Sequence, residues 1–216
     1  MTNLNTESKS KIAEFLTPEN AVLTMIDHQT GLMVGLGDEH PTVLKNNILG
    51  LIKTAKAINL PSVITASLPE GPNGPIMPEI PEVLGTPVIE REGQINAWDS
   101  EAYRNAIKAT GRKKIIMAGI VTDVCLLFPA LSAVEEGYDV YAVIDASGTW
   151  NKTVQEVTIQ RLTQAGVKVT TWASVLAEIM NDWRSEHGEA LGQVLADHTT
   201  KYGYVMNSYF AQQKNG

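Results

Sequence analysis

Lys113–Ile120 reads KKIIMAGI, and the chain continues through Val121–Cys125, VTDVC, into Leu126–Val140, LLFPALSAVEEGYDV. The first segment is short, continuously apolar and rich in β-branched residues, which fits a strand buried on both faces. It ends at Gly119-Ile120. The periodicity then predicts a helix over Val124–Glu136, closed by Gly137. Pro129 lies inside that span, where it would remove a donor and clash with the preceding turn. Either a bend or a later helix start is therefore required.

The same alternation extends in both directions. Upstream, Ala21–Ile26 (AVLTMI) is an apolar run followed directly by Asp27. Val43–Ile58 carries Val43, Leu44, Ile48, Leu51, Ile52, Ala55 and Ile58 along one helical stripe. Ser62–Ala66 (SVITA) reads as a strand, Val88–Glu90 as a weaker one, and Ser100–Ala109 as a helix with Gly111 just beyond it. Downstream, Val140–Ile144 is a strand followed by Asp145. Thr153–Gln164 is a helix closed by Gly166, Val167–Thr171 is a strand, and Ser174–Trp183 is a closing helix. Six such strands separated by helices predict an α/β fold. It is a three-layer α-β-α arrangement around a mostly parallel six-stranded sheet of Rossmann-like type. Ligands of this class bind at the strand C-terminal ends, where Asp27, Cys125 and Asp145 fall.

Residues 1–216 read as one domain, with the part after about residue 185 an extension packed on the body or on a neighbouring subunit. Leu68–Pro81 (LPEGPNGPIMPEIP) is rich in turn formers and is expected to be an ordered rim or contact loop. Seventeen Lys and Arg against twenty-four Asp and Glu give a net charge of -7, which argues against nucleic acid or an anionic membrane as partner. No apolar run approaches the roughly 18 residues of a membrane span, and no signal peptide is visible, so a cytoplasmic location is expected. One cysteine excludes an intrachain disulfide and a multi-cysteine metal site. Neither a dinucleotide fingerprint nor a phosphate-binding loop occurs, and the four histidines are scattered, so no cofactor and no metal are expected.

Three residues stand out for chemistry. A lone Cys125 is either a small buried hydrophobe or, at a helix N-terminus, a thiol whose thiolate is favoured by unpaired N–H groups. Asp27 is a turn or cap residue, or a carboxylate placed to take a proton; His28 beside it is a rival base. Arg91 is a surface partner of Glu90 or Glu92, or a fixed positive charge holding base and thiolate. Trp98 is an apolar pocket wall or plain core.

Taken together, MIDHQTGL, EGPNGPIMPE, GQINAWD, AGIVTDVCLLFPALSAVEEGYDV and DASGTW resemble the isochorismatase-like cysteine hydrolases, in particular the YcaC-type subgroup. The resemblance runs over about residues 15–210. It implies Cys125 as nucleophile, Asp27 as general base, and Arg91 in the position usually held by lysine. It implies a cis peptide at Ile120–Val121, with the N–H groups of Val121 and Cys125 serving as oxyanion hole. Gln29, Asn96, Trp98 and Ile120 would line the substrate pocket. Nicotinamidases of this superfamily bind a metal through Asp and His residues on the loop after strand two. The corresponding stretch here, SLPEGPNGP, has neither residue type, so the resemblance implies no metal. The implied activity is hydrolysis of a small amide, ester or related C–N bond through a thioester. The implied assembly is a homo-oligomer, an octamer of two stacked tetrameric rings. A different class stays open: a self-assembling protein with a vestigial or redox-responsive thiol. Arg91 supports it, because arginine does not exchange protons at accessible pH.

Overall fold

The computed structural model describes residues 14–214. Its centre is a six-stranded sheet of β1 (Ala21–Ile26), β2 (Ser62–Ser67), β3 (Val88–Arg91), β4 (Lys114–Gly119), β5 (Asp139–Val143) and β6 (Lys168–Thr170). The order is β3-β2-β1-β4-β5-β6, and each neighbouring pair is parallel. The strand order reverses between β1 and β4, so the crevice of a doubly wound sheet opens between the ends of these two strands.

Side chains of each strand alternate between two cores. Leu23, Met25, Ile116 and Ala118 face one side, with α2 (Pro41–Ala57), α3 (Glu79–Leu84), α7 (Trp172–Met180) and α8 (Gly188–His198). Val22, Ile26, Ile115 and Met117 face the other, with α4 (Glu101–Ala109), α5 (Leu127–Glu135) and α6 (Lys152–Gln164). Both faces being covered explains why β1 and β4 read as continuous apolar runs. Each such side chain fully withdrawn from water contributes ~1.5–3 kcal/mol. A four-residue helix, α1 (Thr30–Met33), follows β1, and α9 (Thr200–Lys214) packs on α8 at the end of the described chain. No helix among the described residues is long and apolar enough to cross a membrane.

Several boundaries depart from the sequence expectation for identifiable reasons. Helix α5 starts at Leu127, so Pro129 is its third residue, where the lost N–H has no intrahelical acceptor anyway. Thr122–Leu126 instead form a wider π-type turn, in which the N–H groups of Cys125 and Leu126 donate to Val121 O at 2.8 and 3.4 Å. The turn folds tightly over the strand end: a Cβ on Gly119 would lie 3.0 Å from Leu126 N. Within the expected loop Leu68–Pro81, the last residues already begin α3, with Pro81 in its first turn. Helix α7 starts at Trp172 rather than Ser174, capped by the Thr171 hydroxyl, which accepts from Ser174 N–H. The C-terminal extension forms two helices. Helix α8 buries Leu191 and Val194 in the main core, whereas α9 leaves Tyr204, Val205 and Phe210 exposed.

Candidate active site

Strand β1 stops at Asp27, which takes a left-handed conformation (φ 55°), one that aspartate tolerates better than most residues. In the crevice beside it the Ile120–Val121 peptide is cis and leads into the wide turn that carries Cys125. Arg91 closes β3, two strands away from β1. Its length carries the guanidinium across β2 to Asp27.

The three side chains are almost fully buried, at 1% exposure for Asp27, 2% for Arg91 and 8% for Cys125. Arg91 forms an ion pair with Asp27 Oδ1 through Nη2. Its Nε donates to Thr65 Oγ1 at 3.1 Å, and its Nη1 donates to the carbonyls of Gln94 and Ile95. Asp27 Oδ1 also accepts from Ser67 N–H at 3.0 Å. Asp27 Oδ2 is buried and has no conventional hydrogen-bond partner. The thiol of Cys125 is the group with which this carboxylate exchanges influence: each shifts the ionisation of the other.

Burial raises the Asp27 carboxyl above its ordinary value, against the opposing pull of Arg91, the Cys125 thiol and Ser67 N–H. Burial also pushes the Cys125 thiol up, and the charge of Asp27 adds to this; hydrogen bonding from the Val121 backbone and the Arg91 charge act the other way. The favoured thiolate expected from a helix N-terminus is therefore overridden. With thiol, carboxylate and guanidinium, the three groups together carry zero net charge. Moving the thiol proton to Asp27 keeps that net charge at zero, so the transfer adds no net charge to a buried space.

His28, the rival base, turns away. It is fully buried with Nε2 bonded to Ala146 O at 2.9 Å, and burial lowers its pKa to about 4. Three of the pocket candidates have hydrogen-bond partners of their own. Gln29 donates its amide hydrogens to the carbonyls of Ser67 and Gly74, bracing the Leu68–Pro81 excursion. Asn96 accepts from Trp98 N–H and donates to Ser132 Oγ. Trp98 is core: its ring packs edge-on against Tyr103 and Tyr138, and its Nε1 donates to Glu136 at 2.7 Å. Ile120, which follows β4 and opens the cis peptide, has a fully buried apolar side chain. Residues that sequence reasoning passed over do hold the site. Thr65 positions Arg91 while donating its own hydroxyl to Ile89 O, and Thr122 keeps a buried hydroxyl without a protein partner next to the cis peptide. The β-branched SVITA run and the T-D-x-C spacing contain both, but neither pattern marks a polar role.

A groove of about 990 Å³, lined by residues such as Leu16, Asn20, Ile179 and His187, lies at the opposite, N-terminal edge of the sheet. Among the described residues, no group of three or more His, Cys, Asp or Glu is arranged to hold a metal ion.

Comparison with known proteins places this geometry. An isochorismatase domain model matches residues 21–174. YcaC of Escherichia coli strain K12, named a probable hydrolase, is 46% identical over 195 residues, covering 90% of this chain and 93% of that protein. The crystal structure of the E. coli YcaC gene product, described as an octameric hydrolase of unknown specificity, matches with TM-score 0.90 at 43% identity. The match spans 94% of this chain and 100% of that one. YcaC from Pseudomonas aeruginosa, solved with hexane-2,5-diol and covalent acrylamide, matches with TM-score 0.89 at 44% identity, covering 93% and 99%.

Proposed function

The chain belongs to the isochorismatase family, and on that premise we propose that it is a cysteine hydrolase of small amides, esters or related C–N bonds. Asp27 carries the proposal. One of its oxygens is fixed by Arg91 and Ser67, and the other is buried, unpartnered and coupled to the only thiol in the chain. That is the arrangement of a base waiting for a proton. The relative that holds covalent acrylamide adds support, since acrylamide alkylates thiols and Cys125 is the one thiol available here.

In the proposed reaction Asp27 accepts the Cys125 proton as the sulfur attacks the substrate carbonyl carbon. A C–S bond forms and the carbonyl electron pair moves to oxygen. The N–H groups of Val121 and Cys125 receive that oxyanion. Cys125 N–H already donates to Val121 O at 2.8 Å and the Val121 backbone hydrogen-bonds the Cys125 thiol, so both donors are shared before the oxyanion forms. One such donor is worth ~3 kcal/mol in the transition state. Collapse expels the amine or alkoxide, which takes the proton back from Asp27, and leaves a thioester. Asp27 then deprotonates water, the hydroxide attacks the thioester, and the thiolate leaves and is reprotonated. Arg91 acts throughout as a fixed charge, the electrostatic part of the task done by lysine in relatives.

The likeness to an octameric relative supports a homo-oligomer; we take it as an octamer of two stacked rings, with the Leu68–Pro81 loop or the C-terminal helices, whose α9 exposes apolar side chains, near a subunit contact. We take residues 1–216 as one domain with a C-terminal extension. A thiol that must stay reduced fits the cytoplasm. The raised, nearly buried thiol favours the vestigial form of a second reading, a self-assembling protein with a vestigial or redox-responsive thiol and no hydrolase activity. One experiment separates the two: a panel of small amides, esters and imides assayed with wild type and Cys125→Ala together. The hydrolase reading expects turnover of at least one compound by wild type and none by the variant, with the fold intact. Turnover retained by Cys125→Ala would remove Cys125 from the chemistry.

A further inference from the structure

The segments that follow β1 to β5 at their C-terminal ends are residues 27–40, 68–78, 92–100, 120–126 and 144–151. They contain Asp27, Asp38, Glu39, Glu70, Glu92, Asp99, Asp123 and Asp145, and no lysine or arginine. Glu39, Glu70, Glu92 and Asp99 are exposed. Arg91, at the end of β3, is the cation that reaches the site. It is buried and engaged by Asp27, Thr65, Gln94 and Ile95. On the flanking helices, Lys45 is paired with Glu79, Arg104 in the first turn of α4 is half-buried with its side chain donating to Trp98 O, and Lys152 at the start of α6 is exposed.

The same edge also exposes large apolar side chains. Leu68 N–H donates to Arg91 O at 2.9 Å and the Ile95 carbonyl accepts from the Arg91 side chain, so both residues adjoin Arg91 through their backbones while their side chains are exposed. On the other side, Gly35 abuts the exposed Trp150, whose loop is tied to the wide turn by Thr122 N–H donating to Gly148 O at 2.9 Å.

We infer that the site takes small uncharged acyl compounds with an apolar substituent and rejects anionic ones. The acyl chemistry rests on the hydrolase reading above; the charge selection rests on the charges at this edge of the sheet alone. An anionic substrate would meet exposed carboxylates on the way in. It would then meet a triad of zero net charge whose one cation is already neutralised. Like charges brought together without a counter-ion are strongly disfavoured, which is how a site excludes one member of a pair of isosteres.

The test needs no known substrate and no turnover. Methyl methanethiosulfonate is neutral, and 2-sulfonatoethyl methanethiosulfonate is its anionic counterpart. In each case the thiolate attacks the sulfenyl sulfur, a disulfide forms and methanesulfinate leaves. Labelling of Cys125 is followed by intact mass on the full-length wild-type protein. The anionic-to-neutral rate ratio is divided by the same ratio for 2-mercaptoethanol, which cancels the thiolate fraction. The expected ratio is lower on the protein by about 100-fold or more, and Glu70→Gln combined with Glu92→Gln narrows the gap severalfold. A ratio equal to that of mercaptoethanol, or one favouring the anion, overturns the inference. So does failure of the neutral reagent to label Cys125 when the denatured protein labels fully. Labelling that discriminates by charge in a protein that hydrolyses nothing would sink the hydrolase reading and leave the charge selection standing.

Discussion

At the N-terminal edge of the sheet, Lys114 opens β4 with its ammonium buried. It donates to the carbonyls of Glu14 and Phe15 at 2.6 and 2.9 Å and approaches the Tyr141 hydroxyl at 3.5 Å. At the C-terminal edge, Arg91 ends β3 with its guanidinium buried against Asp27, Thr65 and two carbonyls. Both edges thus enclose one cation and surround it with oxygen. They differ in what remains. The acceptors around Lys114 are neutral carbonyls and a hydroxyl, with the Glu14 carboxylate 3.7 Å away and half exposed, so that edge is a clasp. Around Arg91 the acceptor is a buried carboxylate that keeps one oxygen unused beside a thiol. A buried charge held by neutral groups, with its one anionic partner exposed, stabilises an arrangement; a buried ion pair with an acceptor left over can move a proton.

Substitutions on the two edges should therefore separate activity from stability. Asp27→Asn keeps the shape and removes the proton acceptor, and kcat/KM should fall by roughly 10²–10⁴-fold. If Asp27→Asn retained full turnover, the two edges would be alike and the base would lie elsewhere. Arg91→Met should push the already raised Asp27 carboxyl further up, so that the base is protonated over more of the neutral range. The acid limb of the pH–rate profile should move to higher pH, with about a 10–100-fold loss near pH 7. Arg91→Lys should keep that limb in place if charge alone matters, and raise the rate if proton exchange matters. An unmoved limb in Arg91→Met would reduce Arg91 to a structural pair.

The direction of pH dependence follows from the raised carboxyl. In wild type, activity is lost as pH falls through the folded Asp27 value, which lies above 3.8. The same shift bears on stability with the opposite sense. The folded state holds the proton more tightly than the unfolded chain does. The contribution of this group to stability is present below the unfolded value and lost as pH rises through the folded one. Lys114→Met should show the complementary behaviour: about 1–3 kcal/mol less stability in a denaturant melt, because buried carbonyls lose their donor, and an unchanged pH–rate profile.

How much of this the sequence discloses follows from which groups act locally. The strands β1 and β4 are legible because both faces are covered, so AVLTMI and KIIMAG must be apolar throughout. The edge strand β3 is half exposed and reads weakly for that reason. Asp27, Arg91 and Cys125 are legible as polar residues at strand ends, since a parallel sheet brings such ends to one edge. The uses of Gln29, Asn96 and Trp98 are not, because their partners at Gly74, Ser132 and Glu136 lie 45, 36 and 38 positions away and depend on how loops fold back. The ionisation of Cys125 is not legible either. A helix N-terminus can be read along the chain, whereas burial and the nearby Asp27 charge are properties of the packed crevice and prevail.

The central claim is that Cys125 forms a covalent acyl intermediate with Asp27 as its base. Rapid acid quench of wild-type protein during turnover of a small ester or amide, followed by peptide mass analysis, tests it most directly. The account predicts an acyl increment on the peptide carrying Cys125. That increment should accumulate in a burst and be absent from Cys125→Ala. Sustained turnover with no mass added to Cys125 at any quench time would contradict it.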